Sequence, residues 1–474
     1  MKHIAFGLSA CAAALVASTP ALAEPAPPLS EPARAEMQAE LEELRGRVQT
    51  LEALVEQLVG SQAAVAQQAE AANATAVAAQ STASEAQVAA NEANEAVAAQ
   101  PRTTFGAATR HRTEDGWDFR PFGRLMVDAA SVSDPGNLND PGLGFSSTVR
   151  RVRLGARGAM PGGFEYKIEV DFADNDVEVT DAILGYDAGD VEFTVGQHNS
   201  FQGLEELTSS RFISFMERAG FTDAFGFERR VGVSINYASG DFRWDGGVFT
   251  ANIDDLTDDS VNAYSLDTRA VYSPELNGTQ LHFGGSLHHR DLRDNPGARY
   301  RQRPAYGGTD TRFINTGALN VAEETSYGLE AAAIHGPFHA VAEGHWLNAD
   351  IPGMANPTFF GGYVEAGYFL TGGDSRGYSG GRFNRTRPVR TIDEGGIGAV
   401  QLNARYDRLD LSDNGIIGGE QDLFGLSLIW TPIDYARFMI NYSHIAYDDA
   451  AIALPNGDTD YSVDLVGARA EFDF

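Results

Sequence analysis

Cysteine and lysine are nearly missing from this chain. Its 474 residues include one cysteine, Cys11, and two lysines, Lys2 and Lys167, against 33 arginines. A single cysteine excludes a disulfide framework. Arginine in place of lysine favours fixed, forked contacts with anions over mobile point charges, and a GC-rich genome would leave the same bias. Long apolar runs are also missing. Past the N-terminus no stretch approaches the roughly 18 consecutive apolar residues of a membrane-spanning helix. Positive charge is short as well, and a net charge of −31 argues against nucleic acid as a partner.

The N-terminus reads as an export signal. Lys2 and His3 precede an apolar run from Ile4 to Ala17, and Ala21-Leu22-Ala23 forms an A-x-A cleavage site before Glu24. Residues 1–23 are therefore assigned as a signal peptide. A competing reading takes Leu8-Ser9-Ala10-Cys11 as a lipobox, although only about seven apolar residues would precede that cut. Cleavage after Ala23 removes the only cysteine. For an exported membrane protein without a spanning helix, the closed β-barrel is the remaining way across. The mean hydropathy of −0.25 fits, because half of each barrel strand faces water.

The mature chain has two parts of different kind. From Met37 the apolar residues step by four and three through Leu41, Leu44, Val48, Leu51, Val55 and Leu58. After Gln62 the same frame runs on an alanine seam from Val65 to Val97, bounded by Pro32 and Pro101. Residues 24–100 are thus expected to form a coiled coil, projecting into the periplasm and needing partner copies. A charged, alanine-rich linker is the alternative, and it fits Ala63 to Ala99 better than Met37 to Leu58. With 12 Glu against 3 Arg, this segment repels DNA and anionic lipid. Residues 101–116 read as a joint.

From Trp117 to Phe474 the period becomes two. Phe164, Tyr166, Ile168, Val170 and Phe172 alternate with Glu165, Lys167, Glu169 and Asp171. The last strand carries Val466, Ala468, Ala470, Phe472 and Phe474 on one face, with Arg469, Glu471 and Asp473 on the other. A terminal strand ending on Phe fits the closing strand of an outer-membrane barrel, and sixteen such segments can be placed between 119 and 474. The expected fold is an all-β transmembrane barrel of 16 antiparallel strands behind an α-helical coiled coil. Connections alternate short and long, as periplasmic turns and extracellular loops should. The connection at 371–397 breaks that rule, through a slip in the count or a segment entering the lumen from the periplasmic side.

An apolar face toward lipid leaves the other face lining a lumen. The candidate lining cations are Arg124, Arg151, Arg153, Arg157, Lys167, Arg243, Arg269, Arg405, Arg437 and Arg469. Acidic residues share that face in similar numbers, so no pure ring of one sign is expected. Arg151 and Arg153 would stand about 6–7 Å apart, at ~3.4 Å per residue, close enough to pass an oxyanion along. The long connection 199–229, with Glu205, Arg211, Glu217 and Arg218, is the candidate constriction loop. Arginine-rich stretches at 289–313 and 376–390 suggest an anion vestibule or contacts with lipopolysaccharide phosphates. No catalytic residue is assigned, because no histidine pairs with a serine and a carboxylate. His339, Glu343 and His345 share a strand face without a third metal ligand, and no cofactor is implied.

RRVRLGARG at 150–158, VTDAILGY at 179–186, TVGQHNSFQGLEELTSSRFISFMERA at 194–219 and RRVGVSINY at 229–237 resemble successive blocks of the phosphate-selective porin O/P family. GYVEAGYFLTGGDSRGY at 362–378, ARYDRLDLSD at 404–413 and ARFMINYSHI at 436–445 extend the resemblance in order. It implies a homotrimer of 16-stranded barrels, narrowed by inward-folded loops and lined by an arginine ladder, for passive uptake of phosphate or polyphosphate. The lysine-rich entrance of phosphate-specific members has no counterpart, and residues 101–474 carry 31 basic against 54 acidic side chains. Three functions stay open: an anion-preferring diffusion porin, a general or cation-tolerant porin of the same fold, and a tether from the outer membrane to the cell wall.

Overall fold

The computed structural model describes residues 31–98, 102–104, 109–173, 176–256, 263–292 and 297–474. The signal peptide and lipobox readings, and Arg293 of the first arginine-rich stretch, lie outside these residues. The chain divides into two units, one ending at Ala98 and one beginning at Ala99.

In the first unit the four-three spacing produces a single helix, α1 (Glu31–Ala98), of 68 residues. At ~1.5 Å per residue it is about 100 Å long. Its seam is bare, with Leu44, Leu51 and Leu58 exposed by 52, 61 and 59%.

The second unit is a closed antiparallel barrel. Its sixteen strands are β1 (Asp118–Val132), β2 (Gly144–Met160), β3 (Phe164–Asp171), β4 (Glu178–Asp187), β5 (Val191–Asn199), β6 (Arg229–Ser239), β7 (Phe242–Phe249) and β8 (Tyr264–Tyr272), followed by β9 (Thr279–Asp291), β10 (Glu323–His335), β11 (Phe338–Asp350), β12 (Thr358–Phe369), β13 (Ala399–Asp413), β14 (Ile416–Ile433), β15 (Ala436–Asp448) and β16 (Tyr461–Asp473). Alternation puts Val466 and Phe472 outside at 56 and 50% exposure, while Arg469 and Glu471 turn inward at 3 and 4%. Outward aromatic pairs such as Trp346–Phe360 and Trp430–Phe438 sit toward opposite ends of the wall, as interface girdles do.

β16 closes on β1, with Leu465 opposite Val132 and Asp473 opposite Arg124. Beyond that ladder the Phe474 N–H donates to the Gly123 carbonyl at 3.1 Å, and the Gly123 N–H donates back to the Phe474 carbonyl at 3.2 Å. The Phe474 ring covers Gly123, where a Cβ would lie 2.7 Å from it.

Three connections fill part of the barrel. Residues 200–228 and 297–322 enter from the long-loop end. They bring Leu204, Phe221 and Phe313 against Phe359, Leu409 and Ile445 of the wall, all at 0–1% exposure. The connection between β12 and β13 enters from the short-turn end and forms a hairpin, Gly377–Ser379 with Arg382–Asn384. The strand count therefore stands, and the 371–397 irregularity is a segment folded into the lumen.

Gly123→Val is expected to displace the Phe474 ring and strain the closing seam by roughly 1–3 kcal/mol, the usual range for overpacking. The heat-modified band of the folded barrel on electrophoresis should then disappear at a lower temperature than in wild type.

Candidate functional site

The pore lies on the side of the barrel that the insertions leave open. Its geometry begins with a bulge in β2. Met126 pairs with Arg151 and Val127 pairs with Val149, so Arg150 has no partner across the ladder. A bulge of this kind re-aims a side chain, and here Arg150 and Arg151 both reach the lumen. Strict alternation sends Arg150 to the lipid face, so sequence reasoning missed it. The Arg150-Arg151 doublet in a strand was the available signal.

Arg150 holds the inward loop by a forked ion pair to Glu217, at 2.7 and 3.0 Å. Burial pushes the Glu217 carboxyl up, but Arg150 and then Arg469 outweigh it and hold it down at about 2. Other contacts fix the rest of the loop. Glu343 accepts the N–H groups of Leu204 and Glu205 at 2.9 and 3.0 Å, and Asp407 accepts that of Gly220 at 2.8 Å. Arg405 bridges Glu205 at 2.8 Å and Glu365 at 2.7 Å. Arg437 donates to the carbonyls of Arg211, at 2.9 Å, and Ile213. Arg218 ties the loop to itself through the carbonyls of Glu205, Glu206 and Thr208, at 3.0, 3.1 and 2.8 Å.

Two connected spaces result. A vestibule of about 320 Å³ and a chamber of about 400 Å³ share Arg151, Arg153, Glu206, Arg218 and Arg229. These four guanidiniums and one carboxylate stand where the two spaces meet, at the neck between them. Burial pushes the Glu206 carboxyl above its ordinary value, against the pull of Arg218 at 3.3 Å and of Arg229 and Arg151. Among the described residues, ten cationic side chains and five carboxylates stand around the chamber.

The expected lining residues divide into three groups. Arg124, Arg151, Arg153, Lys167, Arg243 and Arg269 face the chamber, together with Arg211 and Arg218 of the loop. Arg157 stands lower, opposite Arg120 at the short-turn end, with its guanidinium 5.6 Å from the Phe122 ring centre. Arg405, Arg437 and Arg469 turn inward but border neither space. They lie under the loop, with Arg469 forked onto Asp128 at 2.7 Å twice. Glu205 is buried with them, while Glu217 borders the vestibule. Sequence reasoning also passed over Arg229, which opens a strand at the neck, and it named Arg382 only as one of five arginines in the 376–390 stretch, read as an anion vestibule or as lipopolysaccharide contacts.

His339 and His345 serve the same anchoring. His345 bonds Glu343 at 3.0 Å, and His339 accepts from Arg376 at 2.9 Å. Among the described residues, no three metal-ligating side chains converge.

Comparison with known proteins bears on the barrel as a whole. A model of the family described as phosphate-selective porin O and P matches residues 119–474. An uncharacterised protein of Caulobacter vibrioides is 48% identical over 366 residues, covering 75% of this chain and 74% of that one. Porin O of Pseudomonas aeruginosa is 26% identical over 344 residues, covering 64% of this chain and 75% of that one. The solved structure of Pseudomonas putida OprB shares the fold at a TM-score of 0.50 and 11% identity, covering 76% of this chain and 95% of that one. The sixteen strands, the loops folded into the lumen and the match across the whole barrel lead to one conclusion: the chain belongs to the phosphate-selective porin O and P family of outer-membrane β-barrels.

Proposed function

We propose that this porin passes small hydrophilic solutes by diffusion and prefers anions, phosphate among them. One observation carries the reading: a chain with a net charge of −31 surrounds its pore chamber with twice as many cations as carboxylates. Low-dielectric walls focus that local field on the permeating ion. A general or cation-tolerant porin is the second reading. It is favoured by the carboxylates that answer most of those cations, such as Asp181 at 2.6 Å from Lys167 and Asp245 at 2.8 Å from Arg243.

The barrel works as a homotrimer whose helices join in a periplasmic coiled coil. Two features support association. The Leu–Val seam of α1 is bare in one chain. β3 and β7 have only eight residues each, fewer than the ~9–11 a lone wall needs to cross the hydrocarbon. Lipid and lipopolysaccharide cover the rest of the outer wall, and the coil reaches toward the cell wall.

Reversal potentials in a planar bilayer across a KCl gradient should show anion preference that weakens as phosphate is added. Zero or cationic preference favours the general porin instead. Among the described residues Glu206 is the only carboxylate at the neck, and its raised proton affinity gives a direction for pH. As the pH falls toward the ordinary carboxylate range near ~4.3, it is the neck charge that is lost, so anion preference should rise. Glu206→Gln should show the higher preference at neutral pH and a flatter response to acid. Deleting residues 24–100 should leave single-channel conductance unchanged while weakening envelope integrity against detergent. Intact resistance would count against the tether.

A further inference from the structure

The ten cations around the chamber are not equivalent. Eight of them lie 2.6–3.3 Å from a carboxylate oxygen, from Arg124 on Glu169 to Arg218 on Glu206. Such pairs present little net charge to a passing ion. Arg151 is different. Its nearest carboxylate is Asp171 at 3.8 Å, and Arg153 already holds that carboxylate at 2.7 Å. Arg382 has no carboxylate at ion-pair distance among the described residues, and its side chain is exposed to the lumen.

The setting of Arg382 is built. Its hairpin turns through Gly380 and Gly381, both at positive φ (59° and 73°), as a two-residue hairpin turn requires. The Gly381 carbonyl accepts from Arg269 on the far wall at 3.0 Å, and Tyr378 bonds His282 at 2.6 Å. Phe383 is buried under the Arg376 guanidinium, 3.9 Å from its ring centre. Arg376 is itself bonded to Glu365 and to the Phe212 carbonyl, each at 3.1 Å. With the residues on both sides locked, the Arg382 backbone is fixed beside the chamber, and its guanidinium shares that space with Glu192 and Asp245 without an ion pair to either among the described residues.

We propose that Arg151 at the neck and Arg382 on the inserted hairpin are the two specificity-determining residues of this pore, successive single-guanidinium stops for a small oxyanion. This rests on the anion-pore reading above. A lone guanidinium fork matches two oxygens of a phosphate or carboxylate. Two modest stops in series let an ion bind and still leave, as conduction demands. The paired ladder then acts chiefly as wall.

The test is phosphate block of chloride current, together with the anion-to-cation permeability ratio, in bilayers holding wild type, Arg382→Gln, Arg151→Gln, Arg382→Lys and Arg408→Gln. Arg408 lies on the outer wall against Asp422 at 3.0 Å, so its variant removes the same charge away from the pore. Heat-modified mobility confirms that each variant is folded. Arg382→Gln and Arg151→Gln should each weaken phosphate block by roughly tenfold or more, the worth of a charge-assisted hydrogen bond, and lower the permeability ratio. Arg382→Lys should retain the ratio but lose part of the phosphate block, and Arg408→Gln should match wild type. An anion-selective wild type whose phosphate block is unchanged in both glutamine variants overturns this inference alone. Equal losses in Arg408→Gln overturn it too, since bulk charge would then explain the effect. A wild type without anion preference overturns the anion-pore reading and this one together.

Discussion

A guanidinium buried against a barrel wall has to be answered, by a carboxylate or by carbonyl oxygens. Arg269 sits at 1% exposure in a forked pair with Glu330, at 2.7 and 2.6 Å, and Arg469 sits likewise on Asp128. Removing one partner of such a pair typically costs about 3–5 kcal/mol, because the other charge is left buried alone. The inner wall is therefore close to a neutral lattice, and it has to be so before any loop can rest on it. On the proposed reading, what the pore offers a solute is the small remainder that this lattice leaves unanswered.

The same requirement fixes the insertions. Glu343 and Asp407 direct carboxylates at backbone N–H groups of the loop, and Arg437 directs a guanidinium at its carbonyls. Charge-assisted bonds to backbone hold a loop without depending on its side chains, so the apolar residues are free to pack. Phe221 uses that freedom: it stacks on His345 at 4.6 Å and lies over Gly361, where any Cβ would stand 2.4 Å from its own. The insertions thus build a globular core inside a membrane barrel, on the β9 to β16 side. The open lumen is displaced toward β1 to β8 and inherits the charged residues that the core does not cover.

Period two was legible in the sequence almost residue by residue, because every strand separates lipid from lumen. The long 371–397 connection was legible as an anomaly, and the hairpin inside the barrel is its cause. The division of labour among the arginines was not legible. Arg405, Arg437 and Arg469 have the same inward alternation as Arg124 and Arg153, and only the loop lying over them makes them anchors. Arg150 escaped because a bulge breaks the alternation locally. Arg382 could not be told from Arg376 or Arg385 six and three residues away. Those two meet Glu365 and Asp473 in space, and Arg382 meets neither. Ion pairing is a property of the closed sheet, and the chain order carries no record of it.

An acidic protein with a cation-rich neck is not a contradiction. Surface charges beyond about 8 Å are largely screened at physiological ionic strength. The helix glutamates and the exposed loop carboxylates therefore contribute to solubility and to repulsion of anionic surfaces more than to the ion at the neck. Inside, low-dielectric walls focus the field into the lumen, so a single unanswered guanidinium acts more strongly there than it would on the outer surface. The sign of selectivity then depends on which few charges lack a partner at the narrowest section, and the composition of the chain as a whole has little say in it.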